Sequence, residues 1–226
     1  IPARMASKRF PNKPMAKING VPMIERVWKQ GINSKIGDVY VACSEDEVFQ
    51  LITSKGGKAI MTDPNLPSGT DRVFAAFNLL QNKSDYESII NLQGDMPLID
   101  SNYIQSVNIP LQHGYEIGTI ATDIANNEIQ NENITKVSVS WKEEDILGNS
   151  LDFYKLEKTQ QKNIYQHVGI YSFKPEALKR FISLPPSKNE IDRKLEQLRA
   201  LDAGIPIGIT YVENVPISVD TFEDLM

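Results

Sequence analysis

Short apolar runs alternate with amphipathic segments through the first half of the chain. Runs of strand type lie at Val39–Ala42, Lys58–Thr62 and Ser88–Leu92. Helical spacing of apolar residues occurs from Pro22 onward, at Glu45–Ser54 and after Arg72, and Asp100–Leu111 is a further predicted helix. Ser68 and Thr70 are natural N-cap residues for the helix that contains Arg72. Strands that alternate with helices usually form a mostly parallel sheet covered by helices, so this order predicts an α/β fold.

The pattern changes from Tyr115 onward, where strands outnumber helices. We expect strands at Ile117–Ile124, Thr135–Trp141, Ile164–Phe173 and Ile205–Glu213, and helices at Pro175–Ser183 and Glu190–Ala203. The run at Thr135–Trp141 alternates apolar and polar residues, which is typical of an exposed strand. Residues 143–163 are highly charged and predict no clear element.

Composition narrows the class of protein. The 226 residues, 41% of them hydrophobic, suffice for one large domain or two small ones. A formal net charge of -5 argues against a general nucleic-acid binder, and no apolar run reaches the roughly 18 residues of a membrane span. The single cysteine, Cys43, excludes a disulfide within the chain and fits a reducing cytoplasm. The opening IPAR reads as the end of a buried strand, so we expect further residues before Ile1.

The basic segment from Ile1 to Lys13 stands out in this acidic chain. Its cations are Arg4, Lys8, Arg9 and Lys13, and small residues and prolines separate them. Such a loop allows close approach of the backbone to a polyanion such as a nucleoside triphosphate. A solvated basic loop is the alternative.

Two aspartates follow predicted strands and could meet at one edge of the sheet. Asp95 comes after the strand Ser88–Leu92 and a glycine, at the carboxyl end where ligands of open α/β sheets bind. Asp220 comes between a short apolar segment and a predicted helix start. Two carboxylates with phosphate oxygens would suit Mg²⁺. The alternatives are a turn residue for Asp95 and a helix N-cap for Asp220, with Thr221 as the other possible cap.

Further polar groups have structural readings beside functional ones. His167 lies in an alternating strand on the same face as Gly169 and Tyr171, where a structural histidine is the alternative. Glu196 and Arg199 have the spacing of an ion pair on a helix surface. The sequence contains no Walker loop, no G-x-G-x-x-G and no nucleophile elbow.

Taken together, the motifs resemble one enzyme family over nearly the full length, from Ile1 to Leu225. They are IPAR at Ile1, R-x-P-x-K-P at Arg9, NGVPMI at Asn19, SGTDR at Ser68, QGDMP at Gln93, HVGIY at His167, LEQLR at Leu195 and VDTFEDL at Val219. In this order and spacing the chain resembles the 3-deoxy-D-manno-octulosonate (Kdo) cytidylyltransferases, or CMP-Kdo synthetases. The IPAR motif is shared with other cytidylyltransferases, whereas LEQLR, HVGIY and VDT-x-EDL together are specific.

The resemblance implies a fold. It implies a three-layer α/β/α, Rossmann-like nucleotidyltransferase (glycosyltransferase-A-like) with a mostly parallel central sheet and a smaller lobe. Residues 1–226 would form a single cytidylyltransferase domain. Its nucleotide-binding part would cover about 1–112 and its dimerisation and sugar-binding part about 113–185, while 186–226 would return to the main sheet.

The resemblance also implies a reaction and roles for residues. CTP and Kdo would give CMP-Kdo and pyrophosphate, for lipopolysaccharide biosynthesis, in a cytoplasmic homodimer. By resemblance, the triphosphate is held by Arg4 and Lys13 with help from Arg9, Mg²⁺ by Asp95 and Asp220, the cytosine by Ser68 and Arg72, and the sugar by His167, Glu196 and Gln197. Gln93 of the QGD motif is a further expected substrate contact.

Three departures from the family pattern leave the exact sugar open. Met96 stands where the family has Glu, and Ala42-Cys43-Ser44 stands where it has ATD. The expected F-S-R-x-x-I-P segment is replaced by Asp152–Leu156, where Lys155 would stand in for the arginine. The ammonium of lysine lacks the planar fork that grips a sugar carboxylate at two points. The alternative is that a piece of the chain is missing near Lys155–Asn163. Alternative substrates are 8-amino-Kdo and a nine-carbon ulosonic acid, and the alternative class is a non-catalytic nucleotide-binding module.

Overall fold

Helices and strands alternate through the first half of the chain, in the order that the apolar pattern predicted. This computed structural model describes residues 1–6, 10–142, 146–156, 163–214, 216 and 218–225. The strands are β1 (Lys17–Ile18), β2 (Val21–Pro22), β3 (Tyr40–Cys43), β4 (Lys58–Met61), β5 (Ile89–Asn91), β6 (Ile117–Thr122), β7 (Lys136–Trp141), β8 (Leu147–Tyr154), β9 (Ile164–Phe173) and β10 (Ile207–Tyr211). The helices are α1 (Met23–Asn33), α2 (Asp46–Ser54), α3 (Gly69–Asn78), α4 (Ser101–Ser106), α5 (Ile109–Gln112), α6 (Pro175–Ser183), α7 (Lys188–Arg193) and α8 (Leu198–Asp202).

The chain divides into two compact units. The first comprises the described residues within 1–86, 91–105 and 216–226, and the second those within 87–90 and 106–215. No helix in the described part of the chain is long and apolar enough to cross a membrane.

In the first unit, a parallel pair of strands carries the start of the chain. β3 and β4 pair in parallel from Tyr40 opposite Lys58 to Cys43 opposite Met61. The Ala42 N–H donates to the Ile1 carbonyl at 2.9 Å, and the Ala3 N–H donates to the Ala42 carbonyl at 2.8 Å. The first three residues of the basic segment therefore run beside β3 as an extra parallel segment, and Arg4 follows directly at its carboxyl end.

In the second unit, five strands close a hydrogen-bonded ring. The six-stranded sheet has the order β5-β9-β6-β10-β8-β7, and β7 also pairs with β9. Each of the strands β6 to β10 therefore pairs with two others of the same five. The pairs β6–β9, β7–β8, β7–β9 and β8–β10 are antiparallel, and β6–β10 is parallel.

The prediction of a mostly parallel sheet is therefore wrong for this larger sheet, which is mixed. Parallel neighbours need a long crossover connection, whereas antiparallel neighbours can follow one another through a short loop. β7 and β8 are consecutive and only five residues apart, so they pair antiparallel.

The predicted exposure of the strand at 135–141 is also wrong. Lys136, Val137, Ser138 and Val139 are all buried, because β7 lies between β8 and β9 in the ring. The charged stretch for which no element was predicted contains β8, the longest strand but one.

Two predicted helices are interrupted. The segment predicted as a helix at 100–111 forms α4 and α5, which are separated by Val107 and Asn108. Pro110 lies in the first turn of α5 and has no N–H to continue the hydrogen bonds of α4. The segment at 190–203 forms α7 and α8, because Lys194 adopts the left-handed conformation at φ 57°. This break lets Arg199 of α8 reach back to Glu190 of α7 with contacts of 2.8 and 2.5 Å.

Gly118 of β6 tests the packing of the ring. A Cβ atom at this position would lie 2.5 Å from the Val107 carbonyl oxygen and 2.7 Å from Ser172 Oγ. We predict that Gly118→Ala lowers the free energy of unfolding by about 1–3 kcal/mol, because a main-chain atom must shift. Urea denaturation followed by circular dichroism measures the loss.

The matched control is Gly37→Ala, since a Cβ at Gly37 has no neighbour within 4 Å. This variant should stay within about 0.5 kcal/mol of the parent protein. Equal midpoints for the two variants would contradict the packing described for β6.

Candidate active site

A cavity of about 230 Å³ in the first unit collects seven of the residues predicted for the nucleotide and metal. Those seven are Arg4, Lys13, Ser68, Arg72, Gln93, Asp95 and Asp220. The rest of its lining consists of Pro2, Ala3, Pro14, Gly69 and Gly94. Segments distant in the sequence therefore meet around one space.

The ammonium of Lys13 lies between the two predicted metal-binding carboxylates. Lys13 Nζ is 3.0 Å from Asp95 Oδ2 and 3.4 Å from Asp220 Oδ1, and it donates to the Val219 carbonyl at 3.1 Å. The Lys13 side chain is 17% exposed, against 25% for Asp95 and 41% for Asp220. Because Lys13 and Asp95 are both partly shielded from water, their ion pair is stronger than a typical surface pair.

Local backbone geometry brings these three side chains together. Asn12 takes the left-handed conformation at φ 58° and starts a single turn of 3₁₀ helix, Lys13–Met15. A Cβ on Gly94 would lie 2.9 Å from the Pro2 carbonyl oxygen, so only glycine allows this loop to approach the start of the chain. The Val219 N–H donates to the Asp95 carbonyl at 2.8 Å and ties the two acidic segments to each other.

The cap alternative for Asp220 is resolved by its neighbours. Thr221 Oγ1 accepts from the Asp224 N–H at 3.3 Å, while the Asp224 carboxylate accepts from the N–H groups of Thr221 and Asp220 at 2.8 and 2.9 Å. Thr221 and Asp224 therefore cap the last 3₁₀ turn, Glu223–Leu225. The carboxylate of Asp220 faces Lys13 instead.

The N-terminus of α3 lies at the cavity. Ser68 is its N-cap and accepts from the Asp71 N–H at 3.1 Å, as the sequence predicted. Its hydroxyl also donates to Asp71 Oδ2 at 2.6 Å, so Ser68 orders the helix start. Ser68 and Gly69 both line the cavity, and the positive end of a helix favours an anion there.

Arg72 contributes a buried positive charge. It is 1% exposed and donates to Thr62 Oγ1 at 2.5 Å. Burial lowers its pKa, and the nearby charge of Glu45 opposes that shift. Arg72 therefore lies in the wall of the cavity, whereas Arg4 is exposed and lies at the surface.

Gln93 is held by a short polar network. Its Nε2 donates to Asn91 Oδ1 at 3.1 Å, and Asn91 Nδ2 donates to Thr70 Oγ1 at 3.2 Å. Asn91 and Thr70 are buried. The network fixes the amide group of Gln93 beside the start of α3.

The donor set of this site fits a magnesium ion. Asp95 and Asp220 both reach the same ammonium, so a cation already lies between their oxygens. No group of three or more His, Cys, Asp or Glu side chains suited to a metal occurs in the described part of the chain. Mg²⁺ is commonly held by one or two carboxylates with substrate phosphates and water, so two aspartates are sufficient.

Two other residues singled out in the sequence are Arg9 and Met96. Arg9 lies outside the described residues. Met96, which replaces the family Glu, is 6% exposed and does not line the cavity.

The predicted sugar-binding residues belong to the second unit, where His167 is buried. His167 is 8% exposed, and its Nε2 lies 3.0 Å from Thr119 Oγ1. The ring packs edge-on against Phe153 at 5.1 Å between centroids and lies 5.4 Å from the Tyr171 ring. Burial lowers the pKa of His167 to about 3, so the imidazole is neutral near pH 7.

Glu196 lies electrostatically close to this aromatic group. The pKa of Tyr171 is raised, first by burial and then by the charge of Glu196. Gln197, the next residue, is 9% exposed and precedes α8. His167 and Glu196 are therefore linked through Tyr171, as neighbours in one region of the second unit.

Lys155 is exposed, and its backbone is held by a lysine that sequence reasoning missed. Lys136 is fully buried, and its Nζ donates to the carbonyl oxygens of Asn131 and Lys155 at 2.5 Å each. Burial lowers the pKa of Lys136. Sequence reasoning placed Lys136 on the surface, because the alternation of polar and apolar residues in β7 is typical of an exposed strand.

Small residues of the cavity were also missed. Gly69 and Gly94 were noted only as parts of motifs, although both let backbone segments pack against Pro2. The available signal was their place in the sequence, since Gly69 directly follows the helix cap Ser68 and Gly94 directly precedes Asp95.

Comparison with known proteins agrees with this geometry. Residues 1–209 match the family model described as cytidylyltransferase, which defines the class of protein. A 3-deoxy-manno-octulosonate cytidylyltransferase from Paramagnetospirillum magneticum is 42% identical over all of this chain and 93% of its own length. One of the same name from Rickettsia rickettsii is 40% identical over all of this chain and 92% of its length. The chain therefore belongs to the family of 3-deoxy-manno-octulosonate cytidylyltransferases, which confirms the resemblance.

A solved structure supports the same assignment. It is a CMP:2-keto-3-deoxy-manno-octonic acid synthetase complexed with CTP, and it matches with a TM-score of 0.88 and 31% sequence identity. The match covers 97% of this chain and 91% of that one.

The burial of His167 predicts a pH dependence of stability. Its pKa is about 3 in the folded protein against an ordinary value of about 6.5, so between these values the unfolded chain binds a proton that the folded chain does not. Stability from this residue is therefore complete above about pH 6.5 and is lost as the pH falls. From pH 7 to pH 5 the loss amounts to about 2 kcal/mol.

Urea unfolding of the parent protein and of His167→Gln at both pH values measures this term. The variant should lose about 2 kcal/mol less than the parent on acidification. The exposed His113 supplies the control, because His113→Gln should retain the parent's pH dependence. An unchanged pH dependence in His167→Gln would show that His167 is not buried as a neutral group.

Proposed function

We propose that this protein transfers CMP from CTP to Kdo, forming CMP-Kdo and pyrophosphate. The observation that carries the proposal is the cluster of Lys13, Asp95 and Asp220 in a cavity that also receives Arg4 and the N-terminus of α3. The relatives named above, which match along the whole chain, support the identity of both substrates.

The residues of this chain would position the two substrates and offset the negative charge of the phosphates. In the proposed reaction a hydroxyl group of the sugar gives up its proton to water and its oxygen bonds to the α-phosphorus. The bond from that phosphorus to the bridging oxygen breaks, and pyrophosphate leaves. Phosphoryl-type transfer depends mainly on positioning and charge stabilisation. Arg4 and Lys13 would bind the β- and γ-phosphates and offset the charge on the leaving group.

We further propose that the enzyme depends on Mg²⁺ held by Asp95 and Asp220. When bound, the ion would supply charge neutralisation at the phosphates. Lys13 would then leave the two carboxylates and turn to the triphosphate. The proximity of the three side chains supports this exchange.

Several broader assignments accompany the proposal. The first unit would adopt the three-layer, Rossmann-like arrangement of nucleotidyltransferases, and the second would bind the sugar and form a homodimer. The enzyme would act in the cytoplasm in lipopolysaccharide biosynthesis. Light scattering tests the dimer, since a monomer has a mass of 25.4 kDa.

Pyrophosphate release with CTP and Mg²⁺ tests the activity. Kdo, 8-amino-Kdo and a nine-carbon ulosonic acid form the substrate panel, and Kdo should give the highest kcat/KM. If another acid is turned over faster than Kdo, that acid is the substrate instead of Kdo. CTP binding without release for any acid would favour a nucleotide-binding module.

Asp95→Asn removes one carboxylate with little change in shape. We predict a loss of at least about 10²-fold in kcat, because a charge contact to the reacting phosphates is lost. The fold should be retained by circular dichroism. Asp38→Asn is the matched control, since Asp38 is 41% exposed, pairs with Lys58 and Tyr86 and does not line the cavity. Near-normal CMP-Kdo formation by Asp95→Asn would sink the metal assignment.

Lys13→Met should strengthen metal binding although it impairs catalysis. Without the ammonium, the carboxylates of Asp95 and Asp220 lose their competing cation. We predict about tenfold tighter binding of Mn²⁺ to the nucleotide-free protein, equivalent to about 1.4 kcal/mol. Electron paramagnetic resonance of free Mn²⁺ measures the affinity independently of turnover.

The exposed Lys17 provides a control with the same change in charge. Lys17→Met should leave the Mn²⁺ affinity within about twofold of the parent value. If Lys13→Met binds Mn²⁺ no better than Lys17→Met does, the ammonium and the metal do not share a site.

A further inference from the structure

The hydroxyl group of Thr119 lies within hydrogen-bond distance of three other groups. It is fully buried on β6, and its Oγ1 lies 2.7 Å from the Ile170 carbonyl oxygen, 3.2 Å from the Val168 carbonyl oxygen and 3.0 Å from His167 Nε2. All of these groups belong to the second unit.

An irregularity of the sheet creates this convergence. Thr119 is opposite Tyr171 in the β6–β9 ladder, but the next residue, Ile120, is opposite Val168. Two residues of β9 therefore have no partner across this ladder. Such bulges turn neighbouring groups out of their regular direction and are common beside active sites.

The count of protons fixes the direction of the hydrogen bond to His167. A threonine hydroxyl has one proton to donate, and a carbonyl oxygen can only accept. The 2.7 Å contact places that proton on the line to the Ile170 carbonyl, so the hydroxyl accepts from His167 Nε2–H. The opposite arrangement would leave two oxygen lone pairs facing each other at 2.7 Å in a buried site.

The other ring nitrogen of His167 is then an acceptor. The imidazole is neutral near pH 7, because burial among Phe153 and Tyr171 disfavours its charged form. A neutral ring that carries its proton on Nε2 has a lone pair on Nδ1. Glu196, whose charge reaches Tyr171, adds a second acceptor to the same region.

We infer that Thr119 is a positioning residue that holds His167 as the Nε2–H tautomer, so that Nδ1 accepts a hydrogen bond from a hydroxyl group of the sugar acid. A carboxylate has no proton to donate at neutral pH and would face the Nδ1 lone pair with repulsion. His167 therefore recognises a hydroxyl, and the sugar carboxylate must be bound by other groups. The tautomer stands on the structure alone, and the identity of the sugar rests on the proposed function.

Nuclear magnetic resonance of the histidine ring nitrogens tests the tautomer without substrate. The chain has two histidines, so His113→Gln gives a background with one ¹⁵N-labelled imidazole. In this background we expect a directly protonated Nε2 and an unprotonated Nδ1 near pH 7. A proton on Nδ1, or a doubly protonated ring, would overturn the inference.

Two variants at Thr119 separate positioning from packing. Thr119→Val keeps the shape but cannot accept from Nε2–H, so it should lose the pure Nε2–H signature and raise KM for Kdo about tenfold. KM for CTP should change by less than about twofold. Thr119→Ser keeps the hydroxyl and should retain both the tautomer and KM for Kdo.

The kinetic outcomes distinguish this inference from the proposed function. If Thr119→Val alters the tautomer and KM for Kdo does not rise, the role of His167 in recognising a sugar hydroxyl is refuted. If the parent protein forms no CMP-Kdo, the proposed function fails, and with it the sugar contact. The ring-nitrogen spectrum still decides the tautomer in that case.

Discussion

The ammonium of Lys13 between Asp95 and Asp220 is the interaction on which the rest of the candidate active site depends. The three side chains come from segments 82 and 207 residues apart in the sequence. Without a cation between them, the two carboxylates would repel each other. The segment that carries Asp220 is also anchored by packing, since Val219 lies in a buried cluster with Phe10 and Met23.

The two regions of predicted function use different chemistry. The cavity of the first unit combines cations with the positive end of α3, which suits the phosphates of a nucleotide. The region around His167 in the second unit combines a neutral imidazole with the carboxylate of Glu196, which suits hydroxyl donors. We therefore propose that charge recognition of the nucleotide belongs to the first unit and hydroxyl recognition of the sugar to the second.

Much of the first unit could be predicted from sequence, because its strands are short apolar runs and its helices have apolar residues at helical spacing. The apolar run before Gln93 identified β5, and the position after it identified Asp95. Ser68 followed from the same logic, as an N-cap before an apolar helix. The role of Asp220 could be narrowed only when the structure assigned the cap to Thr221 and Asp224.

The second unit was harder to predict for physical reasons. The closed ring buries polar residues of β7, and Lys136 satisfies its ammonium with backbone carbonyls instead of a carboxylate. The alternation of polar and apolar residues shows only which side chains are polar. Because polar side chains usually face water, this pattern wrongly predicted an exposed strand for β7. The break at Lys194 depends on a left-handed residue that is not glycine, which has no sequence signal. The contact between Thr119 and His167 depends on a register shift that no local pattern encodes.

A crystal structure with Mg²⁺ and a non-hydrolysable CTP analogue would show directly whether the metal ion takes the place of the Lys13 ammonium. We predict that the ion lies on Asp95 and Asp220 and that Lys13 Nζ has moved to a phosphate oxygen. A structure in which Lys13 still bridges the two carboxylates, with the ion bound elsewhere, would contradict it.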